Sequence, residues 1–167
     1  MTEATKPAIA FLGIGLMGLP MCRCLLKNGF GLSVWNRSPE KAEVLQEDGV
    51  IIASSPAVAV VDADVIITML SDGGAVEAVI FQQGVAEVIA GGATHIDMSS
   101  IGADEAMEHA KRHIQRGVHY LDAPVSGGTK GAAAGELAIM AGGDPETFSA
   151  MMPVFEAMGH ATHVGPN

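Results

Sequence analysis

Short, almost continuous runs of apolar residues alternate along the chain with segments in which apolar positions recur every three or four residues. A continuous apolar run is typical of a strand covered on both faces, whereas the longer repeat indicates a helix with one buried side. The pattern predicts strands at 8–12, 31–35, 50–53, 65–70, 94–98, 118–121, 136–141 and 160–164.

Helices are predicted between most of these strands. Ser38, Ser55 and Asp144 each precede a proline, so the polar side chain can cap a helix whose first turn accommodates that proline. The predicted helices cover 16–28, 39–48, 56–62, 74–81, 84–90, 103–116 and 145–158. This alternation predicts an α/β fold, a doubly wound and mostly parallel sheet with helices on both faces.

A glycine-rich segment joins the first predicted strand to the first helix. Its residues are Gly13, Ile14, Gly15, Leu16, Met17 and Gly18. Gly-x-Gly-x-x-Gly between a strand and a helix, with a second strand following, is the fingerprint of a dinucleotide-binding unit of the Rossmann type. Gly13 would form the turn, Gly15 would let a pyrophosphate approach the backbone, and Gly18 would let the helix pack closely on the sheet. We therefore predict that these six residues bind a dinucleotide.

The end of the second predicted strand bears on the choice of cofactor. An NAD site usually has an acidic residue here, which bonds the ribose 2′-hydroxyl. This chain has Asn36, Arg37 and Ser38 instead, and all three can donate hydrogen bonds to a 2′-phosphate. We predict NADP(H) as the cofactor, with NAD as the alternative if Arg37 is only a solvated surface residue.

Ligands of such sheets bind at the carboxyl ends of the strands. The loops that should meet there follow Leu12, Val34, Leu70, Met98 and Leu121. In the fourth of these loops, Ser99 and Ser100 lie where a nicotinamide ribose or a substrate could bind. Either serine could equally cap the helix that follows.

The loop at 122–128 is the second candidate for chemistry. Ser126 offers a hydroxyl, and Gly127 and Gly128 expose backbone N–H groups, a combination that can hold a carboxylate. A tight turn explains the same residues equally well. Asp122 is interpreted as a carboxylate that caps this turn, and Lys130 as a lysine that faces solvent.

Overall charge and hydropathy restrict the possible partners. The formal net charge is −10, which argues against a generic surface for nucleic acid or anionic lipid. No apolar stretch reaches the roughly 18 residues needed to span a bilayer. The polar start of the chain, up to Lys6, lacks a secretory pattern.

Cysteine and histidine residues suggest no metal site. Cys22 and Cys24 are two apart on a predicted helix, so they are expected to be buried thiols of a cytoplasmic protein. His109 and His113 have the i,i+4 spacing of a ligand pair, but no third ligand accompanies them, and they are interpreted as surface residues.

Four segments together resemble the β-hydroxyacid dehydrogenase family. Its members include 3-hydroxyisobutyrate dehydrogenases, tartronate semialdehyde reductases and glyoxylate or succinic semialdehyde reductases. The matching segments are 11–21, 96–100, 122–128 and 140–143. The resemblance extends over essentially the whole chain, and Asp-Ala-Pro-Val-Ser-Gly-Gly at 122–128 is its most specific part.

The resemblance implies reversible hydride transfer between NAD(P)H and a small aldehyde acid or hydroxy acid. It also implies a homo-oligomer that acts on a small carboxylate substrate. Residues matching Ser126, Gly127 and Gly128 hold the substrate carboxylate in the family. The residue matching Ser100 contacts the cofactor, and the loop matching Met69 and Leu70 lines its nicotinamide side.

The resemblance places the family's general-acid lysine just past Asn167, so no catalytic residue is assigned within the chain. We expect residues 1–164 to form the NAD(P)-binding domain, and 165–167 to begin the connection to a helical second domain. A relative of 6-phosphogluconate dehydrogenase is one alternative, although Ser99 and Ser100 argue against it. A non-catalytic dinucleotide-binding module is another.

Overall fold

A computed structural model describes residues 5–167, within which nine strands form one sheet. The strands are β1 (Ile9–Leu12), β2 (Leu32–Trp35), β3 (Ile51–Ile52), β4 (Val65–Thr68), β5 (Thr94–Asp97), β6 (His119–Asp122), β7 (Val125–Ser126), β8 (Leu137–Gly143) and β9 (Gly159–Gly165). The helices are α1 (Gly18–Lys27), α2 (Pro39–Glu43), α3 (Pro56–Val60), α4 (Gly73–Glu77), α5 (Val85–Val88), α6 (Ala103–Ile114), α7 (Gly128–Ala134) and α8 (Pro145–Glu156).

The strand order is β3-β2-β1-β4-β5-β6-β8-β7, and β9 pairs with β8. Strands β1 to β6 are parallel, β8 is antiparallel to β6 and β7, and β9 is parallel to β8. This confirms the predicted Rossmann-type fold. From β1 the chain continues to β2 and β3 on one side, and it then crosses to β4 on the other side of β1, so the switch point lies between β1 and β4.

Two apolar layers cover the two faces of the sheet. Ile9 and Phe11 belong to the layer under α1, α7 and α8, whereas Ala10 and Leu12 belong to the layer under α3, α4 and α5. All four side chains are buried. Burial on both faces explains why β1 is a continuous apolar run rather than an alternating one.

The structure departs from the predicted elements at 39–48, at 74–81 and after 124. The predicted helix at 74–81 ends as α4 at Glu77 and continues as a π-helical segment at Ala78–Gln82. The predicted helix at 39–48 breaks after Glu43 and resumes as a 3-10 turn at Gln46–Asp48. The small residues after 124, for which no element was predicted, form β7 and α7. Helix α7 is made of glycine, alanine, threonine and lysine, so it lacks the periodic apolar pattern from which a helix is predicted.

Two of the three predicted caps form the expected hydrogen bond. Ser55 Oγ accepts from the Val58 N–H at 3.2 Å, and Asp144 Oδ2 accepts from the Thr147 N–H at 2.8 Å. Ser38 occupies the capping position of α2, but its side chain makes no capping bond. Both predicted buried thiols, Cys22 and Cys24, are buried and free.

Among residues 5–167, no helix is both long enough and apolar enough to cross a membrane.

Candidate functional site

The turn between β1 and α1 requires two of its three glycines. Gly13 has φ +110° and donates its N–H to the Trp35 carbonyl at 2.9 Å. A Cβ on Gly13 would overlap the carbonyl oxygen of Met69, and a Cβ on Gly18 would overlap that of Gly13. The absence of side chains at these two positions therefore allows β1, α1 and the loop after β4 to pack in direct contact.

The middle of this turn faces open space. A Cβ on Gly15 would meet no atom within 4 Å, and the Leu16 side chain is 85% exposed. Ile14 is buried, and Met17, at the capping position of α1, makes no side-chain capping bond. The first turn of α1 contains no acidic residue. An uncapped helix N-terminus beside an exposed glycine fits a pyrophosphate, because N–H groups and the helix dipole both attract anions.

A crevice of about 270 Å³ opens at the switch point, between the loops that follow β1, β2 and β4. Its lining residues are Gly13, Gly15, Trp35, Asn36, Arg37, Ser38, Lys41, Met69, Leu70, Ser71, Ala75, Ala78, Val79 and Gln83. The lining contains two cations, Arg37 and Lys41, and no carboxylate. It brings together seven of the residues predicted to bind the cofactor.

Asn36 ties two of these loops together. Its Oδ1 accepts from the Ile14 N–H at 2.8 Å, and its Nδ2 donates to the Ser38 carbonyl at 2.9 Å. The amide was predicted as a donor to a 2′-phosphate, and the structure gives it this positioning contact as well. Arg37, which is exposed, forms no ion pair within residues 5–167.

Sequence reasoning missed Lys41, Ser71 and Gln83. Lys41 lies in the first turn of α2, three residues after Ser38, and this spacing could have placed it at the crevice. Gln83 follows a π-helical segment at Ala78–Gln82, which no hydrophobic period indicated.

The loop after β4 is held from the neighbouring strand. The Leu70 N–H donates to Ser99 Oγ at 2.9 Å, and Ser99 is buried. Ser100 is exposed and is not among the lining residues. Neither serine caps α6, which starts at Ala103, and the Glu105 carboxylate instead accepts from the N–H of Gly102 at 2.8 Å.

The predicted carboxylate loop lies outside this crevice. Ser126, Gly127 and Gly128 are exposed, and the two glycines have φ +137° and +61°. Strand β7 is at the opposite end of the strand order from β3. Helix α7 packs against α1, where the Cys24 thiol donates to the Ala132 carbonyl at 3.2 Å.

The predictions for two residues near that loop, Lys130 and Asp122, had different outcomes. Lys130 is exposed, as predicted. The interpretation of Asp122 as a turn cap is wrong, since its Oδ1 accepts from Asn167 Nδ2 at 2.6 Å. The same Nδ2 donates to the Gly142 carbonyl at 3.0 Å, so Asp122 anchors residues that follow β9.

The prediction that His109 and His113 lie on the surface is wrong. Their exposed fractions are 3% and 0%, because this face of α6 packs against His95, Tyr120 and the Phe81 ring. Burial lowers the pKa of His113 to about 3. No group of three potential ligands that could hold a metal occurs in the described part of the chain.

Comparison with known proteins identifies the fold family. A family model described as the NAD binding domain of 6-phosphogluconate dehydrogenase matches residues 8–165. Glyoxylate/succinic semialdehyde reductase 1 of Arabidopsis thaliana is 39% identical over 152 residues, which are 90% of this chain and 53% of that protein. The chain spans about half the length of the curated relatives it matches.

Solved structures agree with this assignment. A 3-hydroxyisobutyrate dehydrogenase from Mycobacterium tuberculosis, with L-serine, has a TM-score of 0.92 at 39% identity and covers 97% of this chain and 55% of that one. Psf3 in complex with NADP⁺ and 2-OPP has a TM-score of 0.89 at 30% identity, over 95% of this chain and 57% of that one. The chain therefore belongs to the family of the 6-phosphogluconate dehydrogenase NAD-binding domain, and the enzymes it resembles include a glyoxylate/succinic semialdehyde reductase and a 3-hydroxyisobutyrate dehydrogenase.

Proposed function

We propose that this chain is the cofactor-binding half of an NADP(H)-dependent oxidoreductase that interconverts a small aldehyde acid and its hydroxy acid. The observation that carries the proposal is the lining of the crevice. Arg37 and Lys41 are its charged residues, and no carboxylate accompanies them, in a chain whose net charge is −10. A crevice of this kind attracts a 2′-phosphate, which an acidic NAD-type residue would repel.

The two halves of the crevice have different roles in this proposal. The turn around Gly15 and the start of α1 hold the pyrophosphate, while Arg37, Ser38 and Lys41 hold the 2′-phosphate. Bound NADPH supplies the hydride. Met69 and Leu70 orient its nicotinamide end against the neighbouring strand loop, and Ser100 contacts it there.

Fluorescence of Trp35 tests the cofactor assignment, because this residue is the only tryptophan and lines the crevice. NADPH should quench it at lower concentration than NADH. A hydrogen bond to a charged group contributes about 1.5–3 kcal/mol, so Arg37→Ala should weaken NADPH binding roughly 10- to 100-fold and leave NADH binding unchanged. Arg116→Ala, which replaces an exposed arginine that follows α6 and does not line the crevice, is the matched control.

Equal affinity of the wild-type chain for NADPH and NADH would overturn the NADP assignment. Failure to bind either dinucleotide would overturn the cofactor-binding role altogether.

Substrate binding is assigned to Ser126, Gly127 and Gly128. Two consecutive glycines with positive φ beside an exposed hydroxyl can present converging N–H donors to a carboxylate. The assay follows NADPH absorbance with glyoxylate, succinic semialdehyde and tartronate semialdehyde. It uses a form of the protein that extends past Asn167 and includes the lysine expected there as general acid.

In that assay Ser126→Ala should raise KM for the productive aldehyde acid, and Ser149→Ala, on the exposed side of α8, should not. An unchanged KM for Ser126→Ala would count against the carboxylate loop. We further propose that the whole protein is a homo-oligomer of the cytoplasm. Analytical ultracentrifugation of the same form tests the oligomeric state, and cell fractionation tests the location.

A 6-phosphogluconate dehydrogenase relative is the second candidate, and the description of the matching family model favours it. Reduction of NADP⁺ by 6-phosphogluconate, without turnover of any aldehyde acid, would select this alternative. NADPH binding without turnover of any of these substrates would indicate a non-catalytic dinucleotide-binding module.

A further inference from the structure

A chain of buried polar side chains crosses the sheet beneath the cofactor crevice. Its members, which we call the buried relay, are His113, His95, Thr68, Asp97 and Ser99. None is more than 1% exposed. The relay runs from α6 through β5 to β4 and returns to β5, and its last member, Ser99, bonds the loop that follows β4.

Distances along the relay are those of good hydrogen bonds. His113 Nε2 lies 2.9 Å from His95 Nδ1, and His95 Nε2 lies 2.8 Å from Thr68 Oγ1. Thr68 Oγ1 donates to Asp97 Oδ1 at 2.8 Å, and the Ser99 N–H donates to the same oxygen at 3.1 Å. Every link thus needs one donor and one acceptor.

Only one direction of proton donation satisfies the relay. Thr68 has a single hydroxyl proton, and giving it to Asp97 requires His95 to donate from Nε2. His95 Nδ1 is then an acceptor, so His113 must also donate from Nε2. This leaves His113 Nδ1 as a bare acceptor, and this atom indeed has no partner among the described residues.

The reverse direction is worse on two counts. It would place a proton on His113 Nδ1, which would bury an N–H donor without an acceptor, at a cost of ~1–3 kcal/mol. It would also remove the Thr68 donor from a carboxylate that is buried. Tyr120 donates a third, longer bond to Asp97 Oδ2, at 3.4 Å, so the acceptor-only state of the carboxylate suits all its neighbours.

The other end of the relay meets the cofactor crevice. The main-chain N–H of Ser99 donates a hydrogen bond to Asp97, which orients this serine. Its hydroxyl oxygen then accepts a hydrogen bond from the Leu70 N–H. Leu70 and Met69 line the crevice, and the Met69 carbonyl touches Gly13 so closely that no Cβ could fit there. A shift of this loop would therefore move one wall of the crevice against the glycine turn.

We propose that Asp97 is a positioning residue, which fixes the main chain at Leu70 through the hydroxyl of Ser99. The histidine pair directs the Thr68 proton onto Asp97 and so holds the carboxylate in the orientation that Ser99 needs. This inference rests on the proposed function, because it assigns the fixed loop to the nicotinamide half of NADPH.

Binding of two probes to the 167-residue chain tests the proposal. NADPH occupies the whole crevice, whereas 2′,5′-ADP lacks the nicotinamide half. Ser99→Ala removes the acceptor for the Leu70 N–H, and loss of one such bond should raise the Kd of NADPH about 3- to 10-fold. The Kd of 2′,5′-ADP should change less than twofold. Ser149→Ala, whose hydroxyl bonds the Pro145 carbonyl on the surface of α8, should change neither.

Substitutions of Asp97 separate positioning from simple loss of structure. Asp97→Asn keeps one oxygen for Thr68 and for the Ser99 N–H, so it should retain near wild-type affinity for NADPH. Asp97→Ala should reproduce the selective defect of Ser99→Ala. Equal weakening of both probes in Ser99→Ala, or no weakening of either, would overturn the proposal.

Two NMR measurements test the proposal without any measurement of ligand binding. In the wild-type chain, ¹⁵N spectra should show His95 and His113 as neutral rings protonated at Nε2; protonation at Nδ1 would overturn the proposed direction. Hydrogen exchange of the Leu70 amide should accelerate in Ser99→Ala, while the Met69 amide, which bonds the Leu12 carbonyl at 3.0 Å, keeps its rate. Equal exchange rates at Leu70 in both proteins would also refute it.

Failure of this inference is distinguishable from failure of the proposed function. A wild-type chain that binds neither probe would contradict the cofactor assignment. A wild-type chain that binds both, with an unchanged ratio in Ser99→Ala, would contradict only the positioning role.

Discussion

Acidification should destabilise this protein through His113, a buried histidine of α6. Its side chain has no exposed surface, and its pKa is lowered from 6.5 to about 3, first by burial and then by the charges of His109, Arg116 and Arg112. Between these two pKa values the unfolded chain binds a proton that the folded chain does not. Stability therefore rises with pH in this window, and it is lost as the pH falls through 6.5.

The magnitude follows from the two pKa values. At pH 7.5 the unfolded imidazole is almost entirely neutral, whereas at pH 5.5 it is about 90% protonated, which stabilises the unfolded state by about 1.4 kcal/mol. His95, whose pKa is also lowered by burial, adds a loss of the same sign. Burial raises the pKa of Asp97, so its protonation acts in the opposite direction.

A comparison with His113→Gln isolates the contribution of one ring. Glutamine can still donate to His95 Nδ1 but does not titrate, and the effects of His95 and Asp97 cancel in the difference. Urea unfolding at pH 7.5 and 5.5 should show that the wild-type chain loses about 1.4 kcal/mol more than the variant. His160→Gln, on an exposed position of β9, should behave as wild type.

Parallel losses in the wild-type chain and in His113→Gln would refute the reasoning. They would mean that His113 is protonated in the folded state at pH 5.5, and so that the histidine face of α6 is hydrated.

The remaining predictions concern the glycine turn and the thiols. Gly18→Ala should cost about 2–3 kcal/mol in urea unfolding, because the added methyl overlaps the Gly13 carbonyl. Gly15→Ala should change stability by less than about 0.5 kcal/mol, since its methyl meets open space, yet weaken NADPH binding. Similar destabilisation by both would contradict this geometry. Burial raises the pKa of Cys22 and of Cys24, so Ellman's reagent should label neither thiol until urea is added; rapid labelling of the native chain would show that α1 opens.

Much of the fold could be predicted from local patterns. The runs at β1 and β4 are apolar throughout because both faces of a central strand are covered, and the caps at Ser55 and Asp144 are local chemistry. Helix α7 could not be predicted, because its small residues carry no hydrophobic period. Its stability comes from close packing on α1, which is a contact between distant parts of the chain.

The lining of the candidate cofactor crevice could be predicted where its residues are consecutive in sequence. Two local patterns predicted parts of this lining: the spacing of the glycines at 13, 15 and 18, and the absence of an acidic residue at Asn36, Arg37 and Ser38. Residues of both segments line the crevice. Gln83 reaches the same crevice from a separate element, so only its position in space identifies it, whereas the spacing of Lys41 from Ser38 was a local signal that the sequence reasoning did not use. The hydrogen bond from the Ile14 N–H to the Asn36 side chain likewise joins two loops, so it depends on the tertiary structure.

Hydrophobic periodicity and glycine spacing were sufficient to predict the Rossmann-type sheet and the glycine-rich turn between β1 and α1, since both depend on residues within a few positions of each other. The buried relay was decided by the tertiary structure alone. His113 belongs to a helix with many charged residues, and it was interpreted as a surface residue because no third ligand accompanied its pair with His109. Packing of α6 onto β5 and β6 removes water from that face, and a histidine deprived of water becomes a neutral hydrogen-bonding group whose partners come from other elements.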